Sequence, residues 1–442
     1  MLTREDNELL TRVGSGTPMG ELLRQYWIPF AQSFELPEPD GNPLRIRLLG
    51  EDLIAFRDSN GAVGLLANNC PHRGASLFFG RNEEAGLRCV YHGWKFDASG
   101  ACIDMPNEPA ESDFRTKVQA VAYPVAERNG VLWTYMGPRT TPPPLPDFEW
   151  AVLPASHRYV TPFVRECNWV QAMEGDIDSA HSSFLHSVLR KDLITDQGTG
   201  LKHQDRAPRF HVVDTDYGVM IGVQRTVDED NYYWRLTQFA LPMFTMFPPT
   251  GENADTVPGH IWIPIDDHNT LVWTLTWHPL RPLTEEEVAT RGGRGNRRSD
   301  VRPFDAAEEY LPPTSQPFGA WRWVANKSND FLLDYEAQRT RRFSGVPTIP
   351  LQDQAMTESM GLIMDRSAEH LGSTDAGIIR VRRHLLDLAR ALRERGVTPR
   401  GVDTPEVFAI RSASGILPRE VPWQEATRDW TRARAGAPVV SA

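Results

Sequence analysis

Two short pairings of cysteine with histidine constrain this chain more than any other feature. In "CPHRGASLFFGRNEEAGLRCVYHGW", residues 70 to 94, the order is Cys70-x-His72, sixteen residues, then Cys89-x-x-His92. Two thiolates and two imidazoles can close a tetrahedral zinc site, or hold a 2Fe-2S cluster with cysteines on one iron and histidines on the other. Zinc modules usually present each pair as a Cys-x₂₋₄-Cys knuckle, whereas here each arm brings one cysteine and one histidine. Residue types alone leave both open, and mixed arms favour the cluster. Gly74 and Gly93 let the backbone turn tightly around either centre.

The surroundings read as β structure. "PLRIRLLG", "DLIAFRD", "VGLLANN" and "GVLWTYMG" are short strand-like runs separated by Gly, Asn and Asp, which predicts a small antiparallel domain. Thr3 with Asp6 marks the cap of an N-terminal helix. "TTPPPLPDFEW" (140–150) cannot continue a helix or a central strand and so reads as a boundary. Beyond it, "YGVMIGVQRTV", "NYYWRLTQFALPMFTMF", "GHIWIPI" and "NTLVWTLTWHPL" predict a second, larger antiparallel sheet. The helix-like "NWVQAMEGDIDSAHSSFLHSVLR" lies between the two sheets. The expected class is α+β, with an arm (1–26), a metal-binding β domain (27–139), a larger domain of sheet and flanking helices (140–375) and a C-terminal helix and tail (376–442). Ile378, Val381, Leu385, Leu388 and Leu392 follow a 3-4-3-4 spacing and define that helix. The charged, glycine-rich "TEEEVATRGGRGNRRSD" (284–300) reads as an exposed mobile loop, and "GAPVVSA" as a frayed end.

Lys plus Arg of 47 against Asp plus Glu of 58 gives a net charge of −11, which disfavours nucleic acid or an anionic membrane as the partner. No apolar run approaches the ~18 residues of a membrane span, and the start lacks a basic segment followed by an apolar core. The expected location is cytoplasmic. Cys102 and Cys167 stand apart without framework spacing, which argues against a secreted disulfide protein.

The segments "CPHRG" and "CVYHGW" resemble the Rieske pattern Cys-x-His-x-Gly and Cys-x-x-His-Gly, with Cys70, His72, Cys89 and His92 as implied cluster ligands. High-potential respiratory members add a cysteine to each loop, where this chain has Ala75 and Tyr91. They also carry a serine and a tyrosine as hydrogen-bond donors, where this chain has Trp94 and Phe96. Fewer donors stabilise the reduced cluster less, so the expected potential lies towards the negative end of the Rieske range.

Such a cluster passes single electrons and makes no bonds, so a second centre must use them. "NWVQAMEGDIDSAHSSFLH" (168–186) supplies Asp178, His181 and His186. Two histidines five residues apart lie about 140° apart on an ideal helix and reach one metal only if the helix is distorted or ends. Two imidazoles and one carboxylate on one face leave open positions on Fe(II) for oxygen. The segment is similar to the mononuclear iron motif of Rieske-type ring-hydroxylating oxygenases, and "PLQDQAMTESMG" fits their downstream aspartate with glutamate five positions later. That resemblance implies Asp353 as third ligand and Glu358 as marker, with Asp365 and Asp334 as rivals.

The phthalate dioxygenase-like group, with its aryl-ether oxygenases and O-demethylases, is the nearest resemblance. It implies one 2Fe-2S cluster, one mononuclear Fe(II), O2 as co-substrate, and a homotrimer or homohexamer without a β subunit. Asp178 would then join His181 to a cluster histidine, His92, across a subunit interface. The resemblance implies NAD(P)H electrons delivered through a separate flavin and iron-sulfur reductase, and the chain shows no dinucleotide glycine fingerprint of its own. A carboxylated aromatic substrate needs a fixed cation; Arg206, Arg209 and Arg235 are candidates, and Phe239, Met243, Phe244, Phe247, Trp273 and Trp277 are candidate walls. Arg206, Arg209 and Phe244 are the chosen substrate residues. Two readings compete with an oxygenase: a Rieske electron carrier and a zinc-stabilised binding module.

Overall fold

The structure is a computed structural model and describes residues 1–109, 111–189, 197–248, 256–289 and 309–434. Before the proline run, the strand-like segments form three small antiparallel sheets. The first contains β1 (Trp27–Gln32), β10 (Val131–Tyr135) and β9 (Val125–Arg128), and the second β2 (Leu44–Leu48), β3 (Glu51–Arg57) and β4 (Val63–Ala67). The third contains β5 (Arg81–Glu83), β6 (Gly86–Arg88), β7 (Lys95–Phe96) and β8 (Cys102–Asp104). Alternation along β3 divides two cores: Leu53 and Ala55 enter the large one, Ile54 and Phe56 the small one around Cys70 and Cys89. The large core continues into the second half of the chain, so the change of sheet near residue 139 is not a break in packing.

The second sheet has the order β11 (Arg158–Arg165), β17 (Thr270–Trp277), β16 (Val257–Pro264), β15 (Phe244–Met246), β14 (Asn231–Ala240), β13 (Gly218–Thr226) and β12 (Arg209–Asp214). An eighth strand, β18 (Ala413–Pro418), pairs with β14; its short "ASGILP", with glycine and proline, gives little strand signal. Cross-strand pairs share a face. The pairs Val223 with Arg235, Phe239 with Thr245, and Thr245 with His260 therefore place Arg225, Arg235, Phe239 and His260 on one side. Phe244 with Ile261, and Ile261 with Trp273, belong to the other.

Helices α1 (Arg4–Thr11) and α2 (Pro18–Arg24) form the arm, and Thr3 Oγ1 accepts from the Asp6 amide at 3.0 Å as the expected cap. Short helices α3 (Glu149–Val152), α5 (Gln197–Gln204), α6 (Glu285–Ala289), α7 (Tyr335–Thr340) and α10 (Trp423–Ala426) lie in the connections. The loop expected at 284–300 begins as α6, where Glu287 pairs with Arg281; residues 290–300 and the 436–442 tail fall outside the described residues. Three longer helices position the site: α4 (Trp169–Ile177), α8 (Ile349–Ser359) and α9 (Ala376–Arg395), whose buried stripe includes Ile378, Val381 and Leu385. Helix α4 lies on the face that carries His260, and α8 and α9 pack against it.

A buried ion cluster fixes α4 in place. Glu174 meets Arg382 of α9 at 2.5 Å and Arg366 at 3.2 Å, and Arg382 also pairs with Glu369. Burial pushes the Glu174 carboxyl up, but Arg366 and Arg382 outweigh it and hold it below the ordinary range. Because the folded value is depressed, its stabilisation is present above the unfolded carboxyl value of about 4.3 and is lost as pH falls through the folded value. Glu174→Gln leaves Arg366 and half of Arg382 buried without their anion and will cost roughly 3–5 kcal/mol. A denaturant midpoint equal to the parent's would contradict this.

Candidate functional site

The two cysteine-bearing loops close in the same way. The Cys70 amide donates to the Ala75 carbonyl at 2.8 Å and the Gly74 amide to the Cys70 carbonyl at 2.9 Å; Cys89 to Trp94 and Gly93 to Cys89 repeat both bonds at 2.8 and 2.9 Å. Each turn needs a residue at positive φ, and Gly74 (76°) and Gly93 (80°) provide it. At Gly93 a Cβ would also lie 2.6 Å from Pro106. The turns bring the His72 and His92 rings to 4.4 Å between centroids, and Trp94 stacks on His72 at 4.4 Å with an 11° interplanar angle. Trp94 Nε1 donates to Asn107 Oδ1 at 2.7 Å and Phe96 is buried, so neither offers a donor to a group held between the loops.

These residues fit a Rieske cluster. Among the described residues the buried His72 Nδ1 has no hydrogen-bond partner, an expensive state unless it has a ligand to bind. Cys70 and Cys89 are both free and buried beside it. Burial, and after it the neighbouring Cys89, push the Cys70 thiol up to about 11, against the pull of the His72 amide. A bound iron ion reverses that balance, because its charge stabilises thiolate directly.

The second centre forms where α4 ends. Its N-cap Asn168 accepts from the Val170 amide at 3.1 Å, and the last helical residue is Ile177. Asp178 then turns its side chain onto the backbone: Oδ1 accepts from the Ala180 amide at 2.7 Å, which competes with helix continuation. His181 opens a single 3₁₀ turn, and His186 lies beyond it, so the helical angle between them no longer applies. Their Nε2 atoms approach to 2.9 Å. Asp353 Oδ1, from α8, lies 3.2 Å from His186 Nε2 and 3.6 Å from His181 Nε2.

The outer ring nitrogens determine what this arrangement can hold. Asp178 Oδ2 lies 3.4 Å from His181 Nδ1, and Gln352 Oε1 lies 2.7 Å from His186 Nδ1. With both Nδ1 atoms facing acceptors, the protons sit there and both Nε2 atoms present lone pairs to each other and to a carboxylate. Three electron-rich atoms converging in this way repel unless a cation lies among them, and the donor set is that of a non-haem ferrous site. Burial raises the Asp353 carboxyl, but when the imidazoles carry a proton in place of a metal, His186 and then His181 outweigh it and hold it well below the carboxylate range. Glu358 anchors α8, accepting from the Glu166 amide at 2.9 Å and from Gln354 at 2.7 Å. The rivals are occupied elsewhere: Asp334 caps α7 and exposed Asp365 caps the turn at Ser367.

The structure separates the remaining candidates by sheet face. Phe244 is a correction: it points away from His260 and packs on Phe148 at 4.2 Å in the large core. Trp273 and Trp277 share that face, whereas Phe239 and Phe247 stay on the iron side, Phe247 at 5.0 Å from the His260 ring. Arg209 is also a correction, being exposed on edge strand β12 and paired with Gln224 on the face opposite Arg225. Arg206 is exposed, with its guanidinium 5.5 Å from the Phe184 ring between the two histidines in sequence.

Arg235 differs from both. It is 7% exposed, and among the described residues its Nε and Nη1 have no partner and Nη2 reaches only the Pro248 carbonyl at 3.4 Å. Neighbouring Arg225 is fully buried and donates to the Ser179 carbonyl at 2.9 Å, which steadies the loop before His181. Burial, and then Arg235, bring Arg225 down to about 10. Sequence reading missed Arg225 and Gln352, and also the Asp176 to His260 contact of 2.7 Å. No spacing marks any of them.

Comparison with known proteins adds the following. Residues 26–124 match the Rieske [2Fe-2S] domain, and residues 134–296 and 314–438 match the LigXa C-terminal-like domain. The 3-chlorobenzoate-3,4-dioxygenase oxygenase subunit of Comamonas testosteroni is 41% identical over 96% of this chain and 98% of its own. The phthalate 4,5-dioxygenase oxygenase subunit of Pseudomonas putida is 36% identical over 96% and 94%. The 5,5'-dehydrodivanillate O-demethylase oxygenase subunit of Sphingobium sp. is 33% identical over 91% and 84%. Among solved structures, dicamba monooxygenase bound to dicamba shares the fold with a TM-score of 0.56 at 18% identity, over 84% of this chain and 99% of that one.

Proposed function

This chain belongs to the Rieske-type aromatic ring-hydroxylating oxygenases of the phthalate dioxygenase-like group, and from that membership we propose that it hydroxylates an aromatic carboxylate. It is an oxygenase subunit, with one Rieske cluster and one mononuclear iron, served by a separate electron-donating partner. The observation that carries the proposal is the pair of facing Nε2 atoms, 2.9 Å apart, beside Asp353. An electron carrier has no use for such a site, and a zinc module has no use for two. The partner is a flavin and iron-sulfur reductase drawing on NAD(P)H, and the setting is cytoplasmic. Among the described residues, no helix is long and apolar enough to cross a membrane.

When bound, the cluster supplies single electrons and the ferrous ion supplies a place for O2 to react. The chain's own residues do the rest. Cys70, His72, Cys89 and His92 hold the cluster, and His181, His186 and Asp353 hold the iron. Asp178 and Gln352 keep a proton on each Nδ1, so that both Nε2 atoms stay free to bind metal. Phe247 lies on the sheet face that carries His260, and Arg235, buried on that face with its Nε and Nη1 unpaired among the described residues, is the cation for the substrate carboxylate.

Asp178 makes no contact with His72 or His92 of its own chain among the described residues, yet its carboxylate is about a quarter exposed, at 24%. Val90 and Tyr91, beside His92, are exposed at 57% and 55%. An uncovered apolar loop tip and an unshared carboxylate support assembly as a homotrimer or homohexamer without a β subunit, with Asp178 meeting the partner subunit's His92. O-demethylation is a second reading, supported by the dehydrodivanillate relative.

Metal analysis tests the framework: about three irons and two labile sulfides per chain are expected. Two irons would leave an electron carrier, and zinc a binding module. Substrate-dependent O2 uptake across 3-chlorobenzoate, phthalate, phenoxybenzoate and methoxybenzoate then separates dihydroxylation from ether cleavage.

A further inference from the structure

His186 has both ring nitrogens facing consecutive residues of one helix. Asp353 Oδ1 lies 3.2 Å from Nε2, and Gln352 Oε1 lies 2.7 Å from Nδ1. Neighbouring helical residues point about 100° apart, so an imidazole set between them is held from two directions by a single rigid element. The amide of Gln352 is itself locked, because its Nε2 donates to the Val346 carbonyl at 3.0 Å. That bond orients the amide so that oxygen, not nitrogen, faces the ring. Gln352 is 4% exposed and Asp353 lies beside it, so water does not compete freely for Nδ1.

We propose that Gln352 is the positioning residue for His186: it fixes the tautomer that leaves Nε2 free for iron, and it does so without adding charge. His181 has a carboxylate, Asp178, in the same place. The two imidazoles thus have unequal partners. A carboxylate draws its Nδ1 proton strongly and makes the ring the more basic ligand, while an amide leaves the other ring closer to plain imidazole. Gln352 keeps His186 as the neutral ligand at 2.7 Å, whereas His181 faces the charge of Asp178 at 3.4 Å.

This inference rests on the iron site proposed above, and the test separates the two. Fe(II) affinity at the mononuclear site is measured in the full-length, cluster-loaded protein by competition with a ferrous chelator, together with the near-infrared magnetic circular dichroism of the ferrous ion. Gln352→Met keeps the volume and removes the acceptor; a 10- to 100-fold loss of affinity and shifted ligand-field bands are expected. Gln352→Glu restores an acceptor to Nδ1 and should stay within about threefold of the parent in affinity. If the Met variant does not accumulate, Gln352→Asn, which withdraws the same amide by one methylene, takes its place. Parent affinity and bands in the Met or Asn variant would overturn the proposal. So would equal loss in the Met and Glu variants, since only the bond to Val346 would then matter. If His186→Ala binds iron as the parent does, the iron site itself is wrong.

Discussion

Asp178→Asn will lower substrate oxidation by about 100-fold or more while cluster and mononuclear iron both remain bound. The side chain serves two local donors and has an accessible edge: Oδ1 takes the Ala180 amide at 2.7 Å, and Oδ2 lies 3.4 Å from His181 Nδ1. Asparagine has one oxygen. If it keeps the Ala180 bond, its NH2 faces the Nδ1 proton of His181, donor against donor; if it flips, the turn that ends α4 loses its cap. Neither choice removes a metal ligand, so iron content at saturating Fe(II) should stay at the parent value even where affinity falls. Deprived of its charge, the side chain would also fail in the bridge we propose to the partner subunit's His92. Rapid mixing of the reduced protein with substrate and O2, followed through cluster absorbance, reads the electron step directly. Reoxidation and turnover within about fivefold of the parent would reduce Asp178 to a helix cap.

The ligand residues were legible because metals demand particular atoms at short range. A cluster needs sulfur and imidazole on facing loops, so Cys70, His72, Cys89 and His92 stand out in any reading. The candidate iron histidines were legible as a pair, but their geometry was not: on an unbroken helix they diverge, and only the turn at Asp178 brings both Nε2 atoms to one point. Asp353 required the family resemblance, since an aspartate 167 positions after His186 has no local signature.

Sheet face was the least legible property. Phe244 and Phe239 belong to similar aromatic runs and are both buried, yet the turn between β14 and β15 sends one to the face that packs on Phe148 and leaves the other on the face that carries His260. Strand alternation gives two sides and does not say which side the catalytic helix will cover. Cross-strand register supplied that, through Asp176 of α4 reaching Thr245 and His260. Gln352 escaped notice for a different reason. A glutamine in a helix is unremarkable until its amide oxygen is seen 2.7 Å from an imidazole.

The same argument selects one arginine from three. Arg206 and Arg209 are exposed, so water already satisfies their charge, whereas Arg235 is buried with two N–H groups unpaired. A buried guanidinium beside a second one, Arg225, is costly without an anion, and among the described residues none contacts Arg235. A bound carboxylate would supply the missing negative charge and pair one of the free N–H groups directly. Breaking a buried charged pair costs about 3–5 kcal/mol, and each 1.4 kcal/mol is about tenfold in affinity. Arg235→Met should therefore raise KM for an aromatic carboxylate such as 3-chlorobenzoate by roughly 100-fold or more, with kcat much less affected. The matching amide, 3-chlorobenzamide, separates recognition from folding. The parent should prefer the acid strongly, and the variant should lose that preference because its methionine treats acid and amide alike. If KM rises equally for acid and amide, Arg235 supports the sheet and the carboxylate must be bound elsewhere.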